Sequence, residues 1–166
     1  MKSKEIVQVL GGFVKESRLQ RFRDALDSRS KGVTLVCENL DCPHNISAIL
    51  RTCDGFGLHN VDLIESSFSK GAGFSLNRDV SKGCEKYLNI SRFGDTWSWL
   101  ERSQNQTIVS TELGAPDIST INWSNIKFPI SVVLGNEIRG VSGLVRQNAA
   151  LKVSLPAVGM VQVERK

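Results

Sequence analysis

The sequence predicts an α/β domain built around a parallel sheet. Short apolar runs rich in β-branched residues alternate along the chain with segments of helical periodicity. The run at 33–37, the helical segment at 46–56 and the run at 61–64 form a βαβ unit, whose two strands should be parallel. A length of 166 residues with 40% hydrophobic content is enough to bury one core.

The N-terminal part is predicted to be a basic amphipathic helix. Leu19, Phe22 and Leu26 repeat at helical spacing, which indicates a helix from Glu16 to about Arg29, with Gly32 as its stop. The segment from Lys15 to Lys31 contains six basic and three acidic residues, which accounts for +3 of the net charge of +4. This face is either simply solvated or contacts phosphates, and charge alone does not decide between the two.

The remaining elements follow in order. Asn45 could cap the helix at 46–56, and Gly57 would end it. Later segments are predicted as a loop at 66–82, strands at 87–90, 107–110, 130–134 and 151–155, helices at 96–102 and 142–150, and a turn at 135–140. We expect residues 1–32 to form an N-terminal basic helical extension and residues 33–166 to form the main domain.

Composition excludes several classes of protein. No apolar run approaches the ~20 residues that a bilayer requires, and the first residues lack a secretory signal, so we expect a soluble, cytoplasmic protein. The four cysteines are irregularly spaced without a CxxC pair, which favours reduced thiols. Cys42 and His44 lie close together, but no second pair has metal-ligand spacing, and we expect no metal site.

Two blocks could carry chemistry. The first runs from Asn45 to Gly57 and opens a helix at the carboxyl end of a strand, where open α/β sheets place ligands. Taken alone, this block is weak evidence for a functional site, because Asn45 is most simply a helix cap and Arg51 is most simply an ordinary surface arginine. The second block runs from Leu134 to Ser142, where two glycines allow tight turns that leave amides free for a ligand. It matches neither a Walker loop nor GxGxxG.

Together, the order and spacing of the blocks resemble the SpoU family of knotted ribose methyltransferases, within the SPOUT superfamily. Asn45 to Arg51 is similar to the first family motif, and Gly135-Asn136-Glu137 with Gly140 is similar to the second. The closest resemblance is to the TrmH tRNA guanosine 2′-O-methyltransferases, from about Arg18 to Gln162 and including the stretch from Ser81 to Leu88.

The resemblance implies a parallel-sheet α/β-knot fold, a homodimer, and transfer of a methyl group from S-adenosylmethionine to a guanosine ribose in the tRNA D-loop. It implies catalytic roles for Arg51, Asn45 and Glu137, with Glu137 orienting the site loop. Because arginine stays protonated, we expect Arg51 to bind RNA phosphate and stabilise the developing alkoxide. The implied cofactor contacts are Leu134, Gly135, Asn136, Gly140, Leu155 and Met160. The residues expected to bind RNA are Lys15, Arg18, Arg21 and Arg23.

The third family motif is matched only at its opening, from Leu155 to Gln162, and four residues follow. The family continues with a Ser-Leu-Asn segment and a helix that closes the knot. We therefore expect an incomplete knot, weak cofactor binding, low activity and a weakened dimer in this chain. One alternative is a non-catalytic RNA-binding protein of the same fold, and another is a shortened product of a longer enzyme.

Overall fold

Strands and helices alternate along most of the chain, as the sequence predicts. The computed structural model describes residues 3–65 and 78–156. The chain divides into two compact units, Met1–Ser30 and Lys31–Lys166.

The first unit contains α1 (Ser3–Gly11), which the sequence analysis did not anticipate, and α2 (Glu16–Asp27). The predicted helix at this position is confirmed, but Gly32 is not its stop. Ser28 ends α2 instead, because its hydroxyl and its amide both donate to the carbonyl of Asp24, at 2.9 and 3.1 Å. Gly32 lies in the following strand.

The second unit is a six-stranded parallel sheet in the order β3-β2-β1-β5-β4-β6. Its strands are β1 (Ser30–Glu38), β2 (Leu58–Ile64), β3 (Asn89–Phe93), β4 (Thr107–Thr111), β5 (Ile130–Leu134) and β6 (Leu151–Val153). Its helices are α3 (Pro43–Gly55), α4 (Arg78–Ser81), α5 (Thr96–Arg102) and α6 (Gly143–Asn148), with 3-10 turns at Cys84–Tyr87, Ile118–Thr120 and Trp123–Asn125.

Both faces of the sheet are covered, because neighbouring residues of a strand point to opposite sides. On β1, Cys37 belongs to the core cluster beneath α3, while Val36 belongs to the cluster beneath α5 and α6. Trp99 of α5 is fully buried in that second cluster. A parallel sheet covered in this way leaves the carboxyl ends of its strands open for a ligand.

Several predicted boundaries need correction. The helix predicted from Ile46 begins at Pro43, because proline suits the first helical position, so Asn45 is not its cap. Gly57 does end it, with a φ of 72°. The strand predicted at 87–90 lies at Asn89–Phe93, because the preceding residues form a 3-10 turn.

Some predictions concern residues outside the described ranges. The loop predicted at 66–82 lies mostly there, although Arg78–Ser81 forms a helical turn and contradicts it locally. The part of the third motif that follows Pro156, including Met160, lies outside the described ranges. The predictions about the knot, the dimer and the cofactor affinity therefore stay predictions.

Three absences hold for residues 3–65 and 78–156. None of the helices there has the length and apolar character needed to cross a membrane. In the same ranges, no group of three or more His, Cys, Asp or Glu residues could hold a metal ion. The four cysteines form no disulfide.

Candidate active site

The two sequence blocks meet at the carboxyl edge of the sheet. β1 and β5 are neighbours in register, with Cys37 opposite Leu134. The segment after β1 and the turn after β5 therefore leave the sheet side by side. This brings together residues that lie almost 100 positions apart in the sequence.

The turn after β5 is closed by its own backbone. The amide of Asn136 donates to the carbonyl of Gly140 at 3.0 Å, and the amide of Gly140 donates back to Asn136 at 2.8 Å. Gly140 has a φ of 67°, in the left-handed region that glycine tolerates. A Cβ atom at Gly135 would come within 2.1 Å of the Gly140 carbonyl carbon, so the turn requires glycine there.

The side chain of Asn136 holds the inside of the turn. Its Oδ1 accepts from the amides of Ile138 and Arg139, both at 3.0 Å. Its Nδ2 donates to the Asn39 carbonyl and to Asp41 Oδ2, both at 2.8 Å. The amides of Asn136, Ile138, Arg139 and Gly140 are thus satisfied within the turn. The expectation that amides of this turn would be free for a ligand is wrong for these four.

Glu137 connects the turn to the first block. Its Oε1 accepts from Asn45 Nδ2 at 2.6 Å, and its Oε2 accepts from the amide of Asp41 at 3.2 Å. Asn45 lies in the first turn of α3. Its side-chain amide does not cap the helix and donates to Glu137 instead. Two of the predicted catalytic residues are therefore in direct contact.

Glu38 supports the site from below and was not anticipated. Its side chain is 1% exposed; Oε1 accepts from the Thr96 hydroxyl at 2.7 Å and Oε2 from the Ser142 amide at 2.8 Å. One carboxylate thereby joins the end of β1 to the starts of α5 and α6. In the sequence, the local indication of this role is limited to an acidic residue at the end of an apolar strand.

Arg51 lies apart from this network. Its side chain is exposed on α3 and makes no hydrogen bond or ion pair with the described residues. Six residues after Asn45, it lies about 9 Å further along the helix axis. Burial raises the pKa of the nearby Cys84 thiol, Asp54 and Glu85 raise it further, and the charge of Arg51 lowers it. Arg51 thus lies on the side of α3 near the Cys84–Tyr87 turn.

The buried thiols are unsuited to nucleophilic catalysis. Burial raises the pKa of Cys37 to about 12 and that of Cys53 to about 11. Both thiols therefore stay protonated at neutral pH, whereas a thiolate is the reactive form.

Two of the predicted cofactor residues, Leu134 and Leu155, lie at the carboxyl ends of two strands that are separated by one other strand. Leu134 is half-buried at the end of β5, and Leu155 is 57% exposed just beyond β6. β4 lies between these strands, and Leu113, which follows it, is 66% exposed. The sequence analysis did not single out Leu113, because its position depends on the strand order.

In the N-terminal unit, the basic residues differ in their partners. Arg23 pairs with Glu16 at 2.9 Å, and the guanidinium of Arg18 lies 5.7 Å from the centre of the Phe22 ring. Lys15 and Arg21 are exposed and have no partner among the described residues. Four cationic side chains are thus accessible to solvent on or beside α2.

Comparisons with known proteins agree on one family. The model of the SpoU rRNA Methylase family matches residues 32–163. The tRNA (guanosine(18)-2′-O)-methyltransferase of Aquifex aeolicus is 30% identical over 158 residues, covering 93% of this chain and 72% of the relative.

Two solved structures of RNA-modifying enzymes are also similar to this chain. The crystal structure of the A. aeolicus TrmH/SpoU tRNA modifying enzyme matches with a TM-score of 0.73 at 28% identity, covering 88% of this chain and 73% of that one. The AdoMet-bound rRNA methyltransferase from Sinorhizobium meliloti shares the fold, with a TM-score of 0.63 at 22% identity over 83% of this chain and 53% of that one.

Proposed function

Because the chain belongs to the SpoU rRNA methylase family, we propose that it methylates the 2′-hydroxyl of a guanosine ribose in tRNA, using S-adenosylmethionine. The named activity of the A. aeolicus relative supports tRNA and guanosine as the substrate. A site in the D-loop is the specific target that we propose.

One observation carries this proposal: the hydrogen bond between Asn45 and Glu137. These residues belong to the two blocks that resemble the family motifs, and they are 92 positions apart in the sequence. Methyl transfer needs two reactants held close and in line, which requires elements that converge from different parts of the chain. The convergence of the blocks at an open sheet edge supports a shared role.

The residues at the ends of β5, β4 and β6 fit the proposed cofactor. Leu134, Leu113 and Leu155 are at least partly exposed at three neighbouring strand ends, where apolar side chains could pack against an adenine ring. When bound, S-adenosylmethionine supplies an electrophilic methyl group on a sulfonium. Pairing within the turn leaves the side chain of Leu134 and the backbone of Gly135 as the better candidates for contact than the amides of Asn136 and Gly140.

We assign the ribose side of the reaction to Arg51, Asn45 and Glu137. Glu137 would orient Asn45 and the segment after β1 through its two carboxylate oxygens. Arg51, exposed and free of partners among the described residues, would bind an RNA phosphate and stabilise negative charge developing on the ribose oxygen. The exposed cations Lys15, Arg18, Arg21 and Arg23 would contact the tRNA backbone.

The test is methyl transfer by the full chain to a tRNA transcript, with the product nucleoside identified by mass spectrometry. We expect 2′-O-methylguanosine, and we expect Arg51→Ala to lower the rate by about 10²–10³-fold, as for loss of one transition-state donor. Thermal stability should stay unchanged, because the Arg51 side chain is exposed.

Two controls separate the possible outcomes. A transcript carrying 2′-deoxyguanosine at the methylated position should not react. Arg51→Lys keeps the charge without the planar fork and should recover only part of the rate. Equal losses of activity and melting temperature in Arg51→Ala would contradict the proposed role, and tRNA binding without any methyl transfer would favour the non-catalytic alternative.

A further inference from the structure

An open cavity of about 320 Å³ lies beside the turn after β5. Its lining includes Glu38, Asn136, Gly140 and Ser142 of the network described above, and two arginines that no role has been given, Arg139 and Arg146. The volume is close to the lower end of the range for small-ligand sites. The cavity can therefore hold one compact chemical group.

We propose that this cavity binds a backbone phosphate of the substrate RNA through Arg139 and Arg146. The inference rests on the proposed function and deepens it, because it adds a phosphate subsite beside the turn that carries Glu137.

In neither arginine does the acidic neighbour occupy all the N–H donors of the guanidinium group. Arg139 Nη2 lies 3.7 Å from Asp41 Oδ2, and Arg146 Nε lies 3.6 Å from Glu112 Oε2. Both distances exceed the ~2.7–2.9 Å of a charge-assisted hydrogen bond. A guanidinium carries about five N–H donors, and these side chains are 66% and 46% exposed. Most of their donors are therefore available to an anion that enters the cavity.

The acidic wall of the cavity does not oppose an anion strongly. Glu38 is 1% exposed, and each of its carboxylate oxygens accepts a hydrogen bond. Asn136 is also almost fully buried, with both side-chain atoms engaged. Among the described lining residues, the charges that face solvent are those of the two arginines.

The charge of the possible ligands favours RNA over the cofactor. S-adenosylmethionine carries a sulfonium and an ammonium against a single carboxylate, so two arginines would oppose its net positive charge. A phosphodiester is an anion with two terminal oxygens that match the guanidinium fork. Contacts to phosphates also orient an RNA without reading its sequence.

The experiment measures binding of a fluorescein-labelled tRNA transcript to the full chain at several salt concentrations. Arg139→Gln combined with Arg146→Gln should weaken binding roughly tenfold, as expected for loss of hydrogen bonds to a charged group. The slope of log affinity against log salt should fall by about 0.7–0.9, as for one phosphate. Arg92→Gln is the matched control, because Arg92 is committed to Glu65 at 2.6 Å and lies on the distant strand β3.

A second variant tests the site by a gain of affinity. Glu112→Gln removes the carboxylate that lies 3.6 Å from Arg146 and 3.8 Å from Lys152, but the glutamine can still accept from the Ser110 hydroxyl. We expect tRNA binding two- to threefold tighter than that of the unmodified chain, which a misfolded variant would not show. An affinity that does not rise would contradict the role of Arg146.

The outcomes distinguish this inference from the proposed function. If the unmodified chain binds tRNA and the double variant binds equally well with the same slope, the phosphate subsite is wrong and the proposed function stands. A double variant that loses affinity for S-adenosylmethionine but not for tRNA would make the cavity a cofactor subsite and overturn the inference. Failure of the unmodified chain to bind tRNA would overturn both.

Discussion

Gly135 lies where two backbone segments of the site come closest together. The chain leaves β5, turns through Asn136 and Gly140, and passes back beside Gly135 on its way to α6. A Cβ atom at Gly135 would meet the Gly140 carbonyl carbon and the Val141 nitrogen at 2.1 Å each. Both neighbours are backbone atoms, so they cannot move aside by a change of rotamer. The path of the turn that carries Glu137 therefore depends on this glycine.

We predict that Gly135→Ala destabilises the protein by roughly 3 kcal/mol or more, the range of severe overpacking. For a chain of this length, that corresponds to a fall in melting temperature of about 6–12 °C. The matched control is Gly143→Ala, because a Cβ atom there meets nothing within 4 Å. Differential scanning calorimetry should show Gly143→Ala unchanged or slightly stabilised. Similar melting temperatures for the two variants would show that the turn can shift to accommodate the methyl group.

At the scale of single residues, motif resemblance found Asn45, Asn136 and Glu137, which the structure brings into one network. It did not find Glu38, although this carboxylate joins three elements. Its partners Thr96 and Ser142 lie 58 and 104 positions away, so no local pattern could reveal the contacts. Spacing along the sequence can identify the residues of one motif. A residue such as Glu38, whose partners come from other elements, can be identified only once the tertiary structure is known.

Helix α2 carries three exposed arginines, Arg18, Arg21 and Arg23. None of its residues is buried, and its apolar residues Phe22 and Leu26 are themselves exposed. The cations of the helix are not equivalent, however. Arg23 is held by Glu16 at 2.9 Å, whereas Arg21 has no partner among the described residues. An unpaired cation can contact a phosphate without first losing an ion pair.

We predict that Arg21→Gln weakens tRNA binding more than Arg23→Gln, and that both effects shrink as salt is raised. The counterions released by a phosphate contact cause this salt dependence. Fluorescence anisotropy titrations from about 0.05 to 0.2 M salt would compare the two variants over the range in which the effect is large. A weakening that is independent of salt, or equal for the two variants, would contradict a phosphate contact by Arg21.

Element prediction succeeded where the local pattern agreed with the tertiary structure. The predicted helix Thr96–Arg102 and strand Ile130–Leu134 are confirmed at both ends. The helix begins after Asp95, whose side chain accepts from the Ser98 amide, and the strand is a short run rich in β-branched residues. The predicted start of β3 is two residues too early and its predicted end three residues too early. Tyr87 and Leu88 look like strand residues but belong to the 3-10 turn and its cap. Pairing with β2, which a single strand's sequence does not show, determines its real position.

For the whole molecule, the core is concentrated in the second unit. Among residues 3–65 and 78–156, the three clusters of buried apolar residues are formed by residues between Val36 and Val153. A fold whose core lies in one part of the chain should owe most of its stability to that part.

The extension that the sequence predicts at 1–32 stays a prediction, but the strand that follows it begins earlier than its apolar run. The sequence placed an extension at 1–32 because the apolar run begins at Val33. β1 begins three residues earlier, at Ser30, since backbone pairing continues through residues whose side chains are exposed. A truncation intended to test the domain organisation should therefore begin at Ser30, so that the strand is kept whole.

We predict that a chain beginning at Ser30 keeps its fold, with a melting temperature within about 3 °C of that of the full chain. This corresponds to a change of roughly 1 kcal/mol in the free energy of unfolding at this size. The control is a chain beginning at Val36, which lacks Val33, Thr34 and Leu35 and with them their pairing to β5. That chain should not fold, because β1 lies in the middle of the sheet. Near-ultraviolet circular dichroism from the buried Trp99 reports on both. A large loss of stability in the chain beginning at Ser30 would show that the first unit contributes to folding and is not an independent extension.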